Sequence, residues 1–382
     1  MILGGAQENT LLTCEGLLQS PDWDVTLVTG PALGPEGELI RRAAKAGVPT
    51  IIVPELRRPI HPWRDAASFA KLLSIIRSIA PAVVHTHSSK AGILGRMAAK
   101  AARVPVILHT IHGLPFHPYG NPAANAMYIL AERLAAGCCD RIVSVADAMT
   151  RQAVAAGVAA PEKFVTIYSG MEMDGFLNAD RLRESTRREF GFTDDDVVIG
   201  KVARLFRLKG YEYVIEAAPR IVRLCPKARF LFVGDGILRD ELRRQAQRLG
   251  VADRMVFAGL VDAARIPAMV SAMDVVVHAS LREGLARVLV QALLCAKPVV
   301  SYDVDGASEV IVDGVTGRLV APKSVEELAD AVVDLIHRPD KAAEMAQGGR
   351  RRVRDRFRAE TMVRQLEGLY RELLAEKGAL SR

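Results

Sequence analysis

Two cationic side chains follow a short apolar run in the second half of the chain. The run predicts a buried strand over Val197–Val202, and Arg204 comes just after it. Lys209 and Gly210 then begin a predicted helix. A guanidinium and an ammonium that converge on a helix N-terminus can bind a diphosphate, and they can stabilise a departing phosphate as negative charge develops on it. Taken alone, such a pair is more often two solvated loop cations.

A second polar group follows the predicted strand Asp274–His278. Glu283 and Gly284 lie in a turn, and Leu285 is expected to begin a helix whose backbone N–H groups can hold an anion. Gly284 permits a close approach of the backbone. Glu283 can accept hydrogen bonds from sugar hydroxyls, and Gln291, two turns along the helix, can bond a ribose. The structural alternative is a helix-capping carboxylate with an exposed glutamine.

Four histidines lie at the ends of two predicted strands in the first half of the chain: His85, His87, His109 and His112. Residues two apart on a strand share a face, so these side chains invite comparison with a metal site. No cysteine or carboxylate joins them at a recognised ligand spacing, and we therefore predict no bound metal. We expect a functional imidazole at His112 and structural roles at His85 and His109, while the role of His87 stays open.

The elements that must position these residues alternate along the chain. Short apolar runs without polar alternation predict parallel strands buried on both faces, and amphipathic helical segments separate them. This alternation is typical of doubly wound sheets, in which ligands bind beyond the carboxyl ends of the strands. It breaks over the charged segment 173–192, which we predict to be a linker. We therefore predict an α/β protein with Rossmann-like domains at 1–172 and 193–357.

The amino-acid composition and the distribution of charge indicate which classes of ligand and which cellular compartment to expect. Half of the 382 residues are hydrophobic, and almost all of the net charge of +7 lies after residue 180. A basic half suits an anionic ligand or an anionic membrane face, and the lack of a basic stripe with interleaved aromatic residues argues against nucleic acid. Five cysteines without a C-x-x-C pair predict reduced thiols in a cytoplasmic protein. No apolar stretch approaches the ~20 residues of a membrane span, and we expect no signal peptide.

Several fingerprints of other enzyme classes are absent from the sequence. There is no G-x-x-x-x-G-K-[ST] segment of a P-loop kinase or ATPase. No G-x-G-x-x-G follows a predicted strand, as a dehydrogenase would require. The G-x-S-x-G elbow of the α/β-hydrolases is also missing.

Together, the polar groups of the second half resemble the glycosyltransferase family 4 (group 1) enzymes, which have the GT-B fold. The family pattern runs from an Arg…Lys-Gly pair through a Gly-Asp-Gly turn, here at 234–236, to a Glu-Gly segment that ends in a second Glu. This sequence has Glu283 at the first acidic position and Gln291 at the second. A similar Gly-x-x-Glu…Gly…Gly segment covers 306–317. Because Gln also accepts and donates hydrogen bonds, we expect nucleotide binding to survive the change.

The first half carries the resemblance less strongly. Gly4-Gly5-Ala6-Gln7 is similar to the family's glycine loop, and His112 matches its active-site histidine. In a Rossmann unit a strand precedes such a loop. In this sequence that strand is reduced to a short stub at Ile2 and Leu3. We therefore expect the true start to lie upstream.

The resemblance implies a retaining, hexosyltransferase-like enzyme with two domains facing each other across a cleft. It would move a sugar from a UDP- or GDP-sugar to an acceptor hydroxyl, without a metal or cofactor. Asp303 and Asp305 imitate the metal-binding Asp-x-Asp of the other major glycosyltransferase fold, but we interpret them as loop residues near the nucleotide. The implied catalytic residues are His112, Glu283, Arg204 and Lys209. The implied donor-binding residues are Gly5, Arg204, Lys209, Gly234, Glu283, Gly284, Leu285 and Gln291, and the implied acceptor-binding residues are Gln7, His87 and Ser144.

The resemblance also implies that a C-terminal helix within 358–382 belongs to the first domain, which would bind the acceptor. We expect a glycan or lipid-linked glycan acceptor in cell-surface polysaccharide or glycolipid synthesis. The basic charge favours peripheral contact with the inner face of the cytoplasmic membrane. Two alternatives stay open: a nucleotide-sugar 2-epimerase-like enzyme on the same fold, and a non-catalytic nucleotide-sugar-binding module, which Gln291 suggests.

Overall fold

The computed structural model describes residues 4–33 and 39–379, which form two compact units. The first unit takes its described residues from Met1–Met171 and Phe357–Arg382, and the second is Glu172–Arg356. Both are α/β units built on parallel strands, as the alternation in the sequence predicts. The strand stub at Ile2 and Leu3 lies outside the described residues.

The first unit contains two separate parallel sheets among its described residues. Its strands are β1 (Leu27–Thr29), β2 (Thr50–Ile52), β3 (Val83–His87), β4 (Val106–Ile111), β5 (Arg141–Ser144) and β6 (Phe164–Thr166). Strand β1 pairs with β2, and the larger sheet has the order β3-β4-β5-β6. The helices before residue 171 are α1 (Gly5–Leu17), α2 (Ile40–Lys45), α3 (Pro62–Ile79), α4 (Ser89–Ala101), α5 (Pro122–Ala136) and α6 (Asp147–Ala155). Every residue of β4 is buried, as expected for a central parallel strand.

The second unit has one six-stranded parallel sheet covered by helices. Its strands are β7 (Val197–Val202), β8 (Ala228–Val233), β9 (Met255–Gly259), β10 (Val275–His278), β11 (Val299–Tyr302) and β12 (Arg318–Val320). Its helices are α7 (Asp174–Leu177), α8 (Arg183–Glu189), α9 (Tyr211–Leu224), α10 (Arg239–Arg248), α11 (Ile266–Ser271), α12 (Arg287–Leu294), α13 (Ala307–Val310), α14 (Val325–His337) and α15 (Pro339–Arg354). The segment 173–192 therefore lies in this unit and carries α7 and α8.

The strand order of this sheet creates one reversal. The order is β12-β11-β10-β7-β8-β9, so the chain first builds outward from β7 and then returns to pair β10 on the other side of β7. Connections leaving β7 and β10 at their carboxyl ends therefore run in opposite directions. In open α/β sheets this switch point leaves a crevice outside the strand ends, where ligands bind.

A last helix, α16 (Ala359–Glu376), completes the core of the first unit. It contacts α1 and β4, and its buried face packs with apolar residues of the larger sheet, among them Leu108 and Val143. Tyr370 of this helix also places its hydroxyl 2.5 Å from Nδ1 of His85 on β3. The helix is amphipathic at the i, i+3, i+4, i+7 spacing that buries one stripe: its buried residues are Met362, Val363, Leu366, Leu369, Tyr370, Leu373 and Leu374.

Candidate active site

The switch point of the second unit brings two of the predicted residues into contact. Lys209 follows β7 and Glu283 follows β10, and these strands are neighbours in the sheet. The ammonium Nζ of Lys209 lies 2.7 Å from Oε1 of Glu283. Both side chains keep about a fifth of their surface exposed, at 23% and 20%. Residues 74 positions apart in sequence thus form one charged pair at the ligand-binding edge of the sheet.

The loop between β7 and α9 is held by backbone contacts that leave little freedom. Gly210 has a left-handed φ of 70°, and a Cβ built on it would lie 1.7 Å from the carbonyl oxygen of Ala279. The N–H of Leu281 donates to the carbonyl of Leu208 at 2.9 Å. Tyr211, buried at the start of α9, donates its hydroxyl to the carbonyl of Ala203 at 2.7 Å. The loop that carries Arg204 and Lys209 is therefore clamped to the connection after β10.

Arg204 lies in the same loop and packs on an aromatic ring. Its guanidinium carbon is 5.0 Å from the centroid of the Phe206 ring, within the range of a cation–π contact. The Gly234–Gly236 turn after β8 packs against this loop, because a Cβ on Gly234 would lie 1.9 Å from the carbonyl oxygen of Ala203. The N–H of Leu205 donates to the carbonyl of Asp235 at 3.0 Å. The predicted residue Gly234 thus supports the cationic loop from the neighbouring strand.

Glu283 is the centre of a small polar network. Its Oε1 lies 3.4 Å from Nε2 of the buried His278, whose Nδ1 is 3.2 Å from the hydroxyl of Ser301. The backbone N–H of Glu283 donates to the carboxylate of Asp305 at 2.5 Å. Burial would raise the pKa of Glu283, but Lys209 and His278 outweigh it and hold the pKa well below its usual range. The carboxylate is therefore ionised at neutral pH and can accept hydrogen bonds.

The connection after Glu283 differs in detail from the prediction. Helix α12 begins at Arg287 rather than at Leu285, because Ala286 has the non-helical backbone angles φ −73° and ψ 82°. Gly284 and Leu285 are buried in the turn that precedes the helix. Gln291 lies in the second turn of α12 and is partly exposed. Its proposed contact with a ribose stays a prediction.

In the first unit, Gly5 begins α1 and Gln7 folds back over the helix start. A Cβ on Gly4, the residue before the helix, would lie 2.7 Å from Oε1 of Gln7, so glycine leaves room for that side chain. Sequence analysis missed Asn9, whose buried side-chain amide donates to the hydroxyl of Ser169 at 2.9 Å and ties α1 to the chain after β6. The donor role of Gly5 and the acceptor role of Gln7 stay predictions.

The four histidines differ in their hydrogen-bond partners, although the rings of His85 and His87 stack with centroids 4.5 Å apart. Nδ1 of His87 and Nε2 of His112 lie 3.0 Å apart, so the two residues with open or functional assignments form one pair. His85 contacts the hydroxyl of Thr110 at 2.7 Å as well as Tyr370, and its position indicates a structural role. The buried His109 is 3.0 Å from the hydroxyl of Thr86. Among residues 4–33 and 39–379, no cluster of three or more His, Cys, Asp or Glu side chains is arranged to hold a metal ion.

His87 and His112 share one hydrogen bond between Nδ1 of His87 and Nε2 of His112. Burial lowers the pKa of His87 to about 4, so this imidazole is uncharged at neutral pH. A neutral imidazole donates through one nitrogen and accepts through the other, so the tautomer of His87 decides which way the shared bond runs. Ser144, the third predicted acceptor residue, is fully buried at the end of β5. An acceptor contact by Ser144 stays a prediction.

Two buried residues of the second unit were missed by sequence analysis. His278 is the last residue of β10, and Lys201 is the fifth residue of β7. Lys201 is 1% exposed, and its ammonium lies 5.1 Å from the centroid of the Tyr211 ring. Lys201 could have been found from the sequence, because a lysine inside an otherwise apolar strand is rare unless its charge is paired.

Comparisons with known proteins show the family of this chain. The model described as "Glycosyl transferases group 1" matches residues 183–352, and "Glycosyl transferase 4-like domain" matches residues 4–170. Alpha-D-kanosaminyltransferase of Streptomyces kanamyceticus is 30% identical over 76% of this chain and 77% of its own length. The chain belongs to the group 1 glycosyltransferases. The predicted family is thus confirmed, and the protein is a glycosyltransferase enzyme.

Two further relatives of this glycosyltransferase match nearly end to end. The UDP-Gal:alpha-D-GlcNAc-diphosphoundecaprenol alpha-1,3-galactosyltransferase of Escherichia coli is 27% identical over 98% of this chain and 96% of its own length. The crystal structure of Anabaena HepE in complex with UDP-glucose superposes with a TM-score of 0.83 and 25% identity, over 97% of this chain and 96% of that chain. The predicted GT-B fold is confirmed by such matches. In the described part of the glycosyltransferase, no helix combines the length and apolarity needed to cross a membrane.

The clamped loop of this glycosyltransferase yields a prediction about Gly210. We expect Gly210→Ala to lower the free energy of unfolding by more than about 3 kcal/mol, because it combines a left-handed φ with a steric clash against a backbone carbonyl. Gly250 is the matched control, since its φ is 68° but a Cβ there would meet nothing within 4 Å. Gly250→Ala should cost about 1 kcal/mol. Urea unfolding followed by circular dichroism measures both, and equal costs would contradict the clamp.

Proposed function

We propose that the protein is a retaining glycosyltransferase that moves a sugar from a UDP- or GDP-sugar to a hydroxyl of a glycan or lipid-linked glycan. The observation that carries this proposal is the contact of Lys209 with Glu283 at the carboxyl ends of β7 and β10. In this proposal the ammonium binds the diphosphate and the ionised carboxylate beside it binds the sugar, at the switch point where such sheets bind ligands. This function belongs to cell-surface polysaccharide or glycolipid synthesis.

The donor diphosphate binds to the cationic loop after β7. Lys209 is 23% exposed, so a phosphate oxygen can reach its ammonium from solvent, and Arg204 adds a second charge. The names of two relatives support a UDP-sugar and a GDP-sugar, respectively. The Escherichia coli relative is named for UDP-Gal, and a mannosyltransferase of Mycolicibacterium smegmatis, 32% identical over 55% of this chain, is named as GDP-mannose-dependent.

The reaction breaks the bond between the anomeric carbon and the diphosphate and forms a bond from that carbon to the acceptor oxygen. Negative charge then collects on the leaving nucleotide diphosphate, and the charges of Arg204 and Lys209 stabilise it where it develops. The carboxylate of Glu283 accepts hydrogen bonds from hydroxyls of the donor sugar and so fixes its orientation. Neither a metal nor a cofactor takes part in this scheme.

The acceptor binds to the first unit, near the pair of His87 and His112. The imidazole of His112 can bond a sugar hydroxyl or, in its neutral form, receive the proton that the acceptor hydroxyl loses. Gln7, at the start of α1, offers an amide to the same class of hydroxyl-rich ligand. The net charge of +7 supports peripheral contact with the anionic inner face of the cytoplasmic membrane, where lipid-linked acceptors are found.

The donor site is tested by thermal stabilisation with UDP, GDP, ADP, UDP-glucose and GDP-mannose. We expect one nucleotide class to stabilise the wild type by about 2.7 kcal/mol at a concentration of one hundred times its Kd. The double variant Arg204→Ala/Lys209→Ala should weaken this binding at least about 100-fold, since each charge-assisted hydrogen bond contributes roughly 1.5–3 kcal/mol.

The control variant Lys227→Ala/Arg254→Ala also removes one lysine and one arginine, but at the opposite ends of the strands. Lys227 precedes β8 and Arg254 precedes β9, so both lie at the amino ends of strands. This variant should bind the nucleotide like the wild type. Stabilisation that survives in the Arg204/Lys209 variant, or no stabilisation of the wild type by any nucleotide, would contradict the proposed site.

Transfer and its stereochemistry are tested with the donor that binds and with GlcNAc linked through a diphosphate to a short isoprenoid. We expect release of the nucleotide diphosphate only when an acceptor is present, and an α-configured product from an α-configured donor. The one-bond coupling between the anomeric carbon and its proton in the NMR spectrum of the product gives the configuration for glucosyl, galactosyl and mannosyl products alike. A β-configured product would show inversion, and release of nucleotide diphosphate without any acceptor would favour the epimerase-like alternative.

A further inference from the structure

Lys201 carries a buried ammonium on β7, the strand that leads into the loop of the proposed donor site. It is the fifth residue of the buried strand β7, and its side chain is 1% exposed. Among the described residues, no acceptor lies within hydrogen-bonding distance of its Nζ. The face of the Tyr211 ring, 5.1 Å away, is the contact that favours its charge. A buried ammonium without hydrogen bonds is costly, so such a lysine tends to lose its proton.

Several charged groups act on Lys201 from the elements around it. Glu283 faces it from the connection after β10, Lys209 from the loop after β7, and Glu212 from the first turn of α9. His278 on β10 also senses its charge. Burial lowers the pKa of Lys201 to about 7; Glu283 and Glu212 oppose this shift and Lys209 adds to it. Near neutral pH the side chain is therefore divided between its charged and neutral forms.

The arrival of a donor changes this balance of charge. Without a ligand, Lys209 neutralises Glu283 at 2.7 Å. A diphosphate at Lys209 brings additional negative charge and draws the ammonium away from Glu283. The carboxylate then needs another cation in a site where only a fifth of its surface meets water. Two buried basic groups interact with this carboxylate: His278, whose Nε2 lies 3.4 Å from Oε1 of Glu283, and Lys201, on which Glu283 acts electrostatically.

We propose that Lys201 takes up a proton from solvent when a nucleotide-sugar diphosphate binds beside Lys209, and that its ammonium then compensates the charge of Glu283. This inference rests on the proposed donor site. No covalent bond changes, and the proton comes from the buffer. Lys201 is thus a positioning residue, which keeps Glu283 ionised and in place while Lys209 holds the phosphate.

The contacts of the two residues favour Lys201 over His278 as the proton acceptor. His278 already places both ring nitrogens near partners, Glu283 at 3.4 Å and the Ser301 hydroxyl at 3.2 Å, and it is 2% exposed. Burial lowers the pKa of His278, and the carboxylate of Glu283 opposes this shift. Lys201 has no such bond to rearrange when its charge changes. The two candidates can be separated by substitution.

The test is calorimetric titration of the full chain with UDP-glucose or GDP-mannose, whichever stabilises it. These probes are suited to the purpose because their diphosphates do not titrate near neutral pH. Titrations in buffers of low and high ionisation enthalpy give the number of protons taken up. We expect almost none at pH 6, where Lys201 is already charged, and an approach to about one proton per donor at pH 8.

Two variants assign the proton. Lys201→Met should abolish the uptake at pH 8 and keep measurable binding, whereas His278→Gln, which retains a nitrogen near Glu283, should take up a proton like the wild type. Uptake by Lys201→Met equal to that of the wild type would overturn the inference, as would loss of uptake in His278→Gln alone. If Lys201→Met does not fold, the wild type still decides, because uptake at pH 6 as large as at pH 8 contradicts a titrating Lys201. Absence of all nucleotide binding by the wild type would overturn the proposed function itself.

Discussion

The ion pair between Lys209 and Glu283 depends on a constraint of the whole sheet. Strands β7 and β10 are far apart in sequence, and only the reversal of strand order places them side by side. Their carboxyl ends then present one cation and one carboxylate to the same crevice at 2.7 Å. In the proposed function these two charges must lie close together, because the sugar and the diphosphate of the donor are joined by a single bond.

The surroundings of the pair decide how its charges behave. Full burial would neutralise both groups, and full exposure would screen them. Here each side chain keeps about a fifth of its surface in water, while His278 and Lys201 lie fully buried beneath. Gly210 and Gly234 bring backbone carbonyls too close for any side chain and so hold the cationic loop against its neighbours. The same packing that fixes the loop also buries Lys201, the residue that we propose takes up a proton when the donor binds.

The sequence predicts much of this arrangement and misses a specific part. Arg204, Lys209 and Glu283 can be found because they follow apolar strands, and the resemblance to a family supports the assignment. The role of Lys201 cannot be found in this way, because its importance depends on which strands are neighbours and on how far Glu283 lies from it. For the same reason the sequence does not reveal the contact of His87 with His112, which joins the last residue of β3 to the residue that follows β4. The start of α12 at Arg287 depends on the backbone angles of one residue, Ala286, which no residue type dictates.

The proposed function depends most on binding of the donor diphosphate at the carboxyl ends of β7 and β10. The most direct measurement is a crystal structure of the protein with the nucleotide sugar that stabilises it. We expect a diphosphate oxygen about 3 Å from Nζ of Lys209, with that atom moved away from Glu283 and the sugar hydroxyls facing the carboxylate. A nucleotide bound elsewhere, or at this edge with Lys209 still paired to Glu283, would contradict the account.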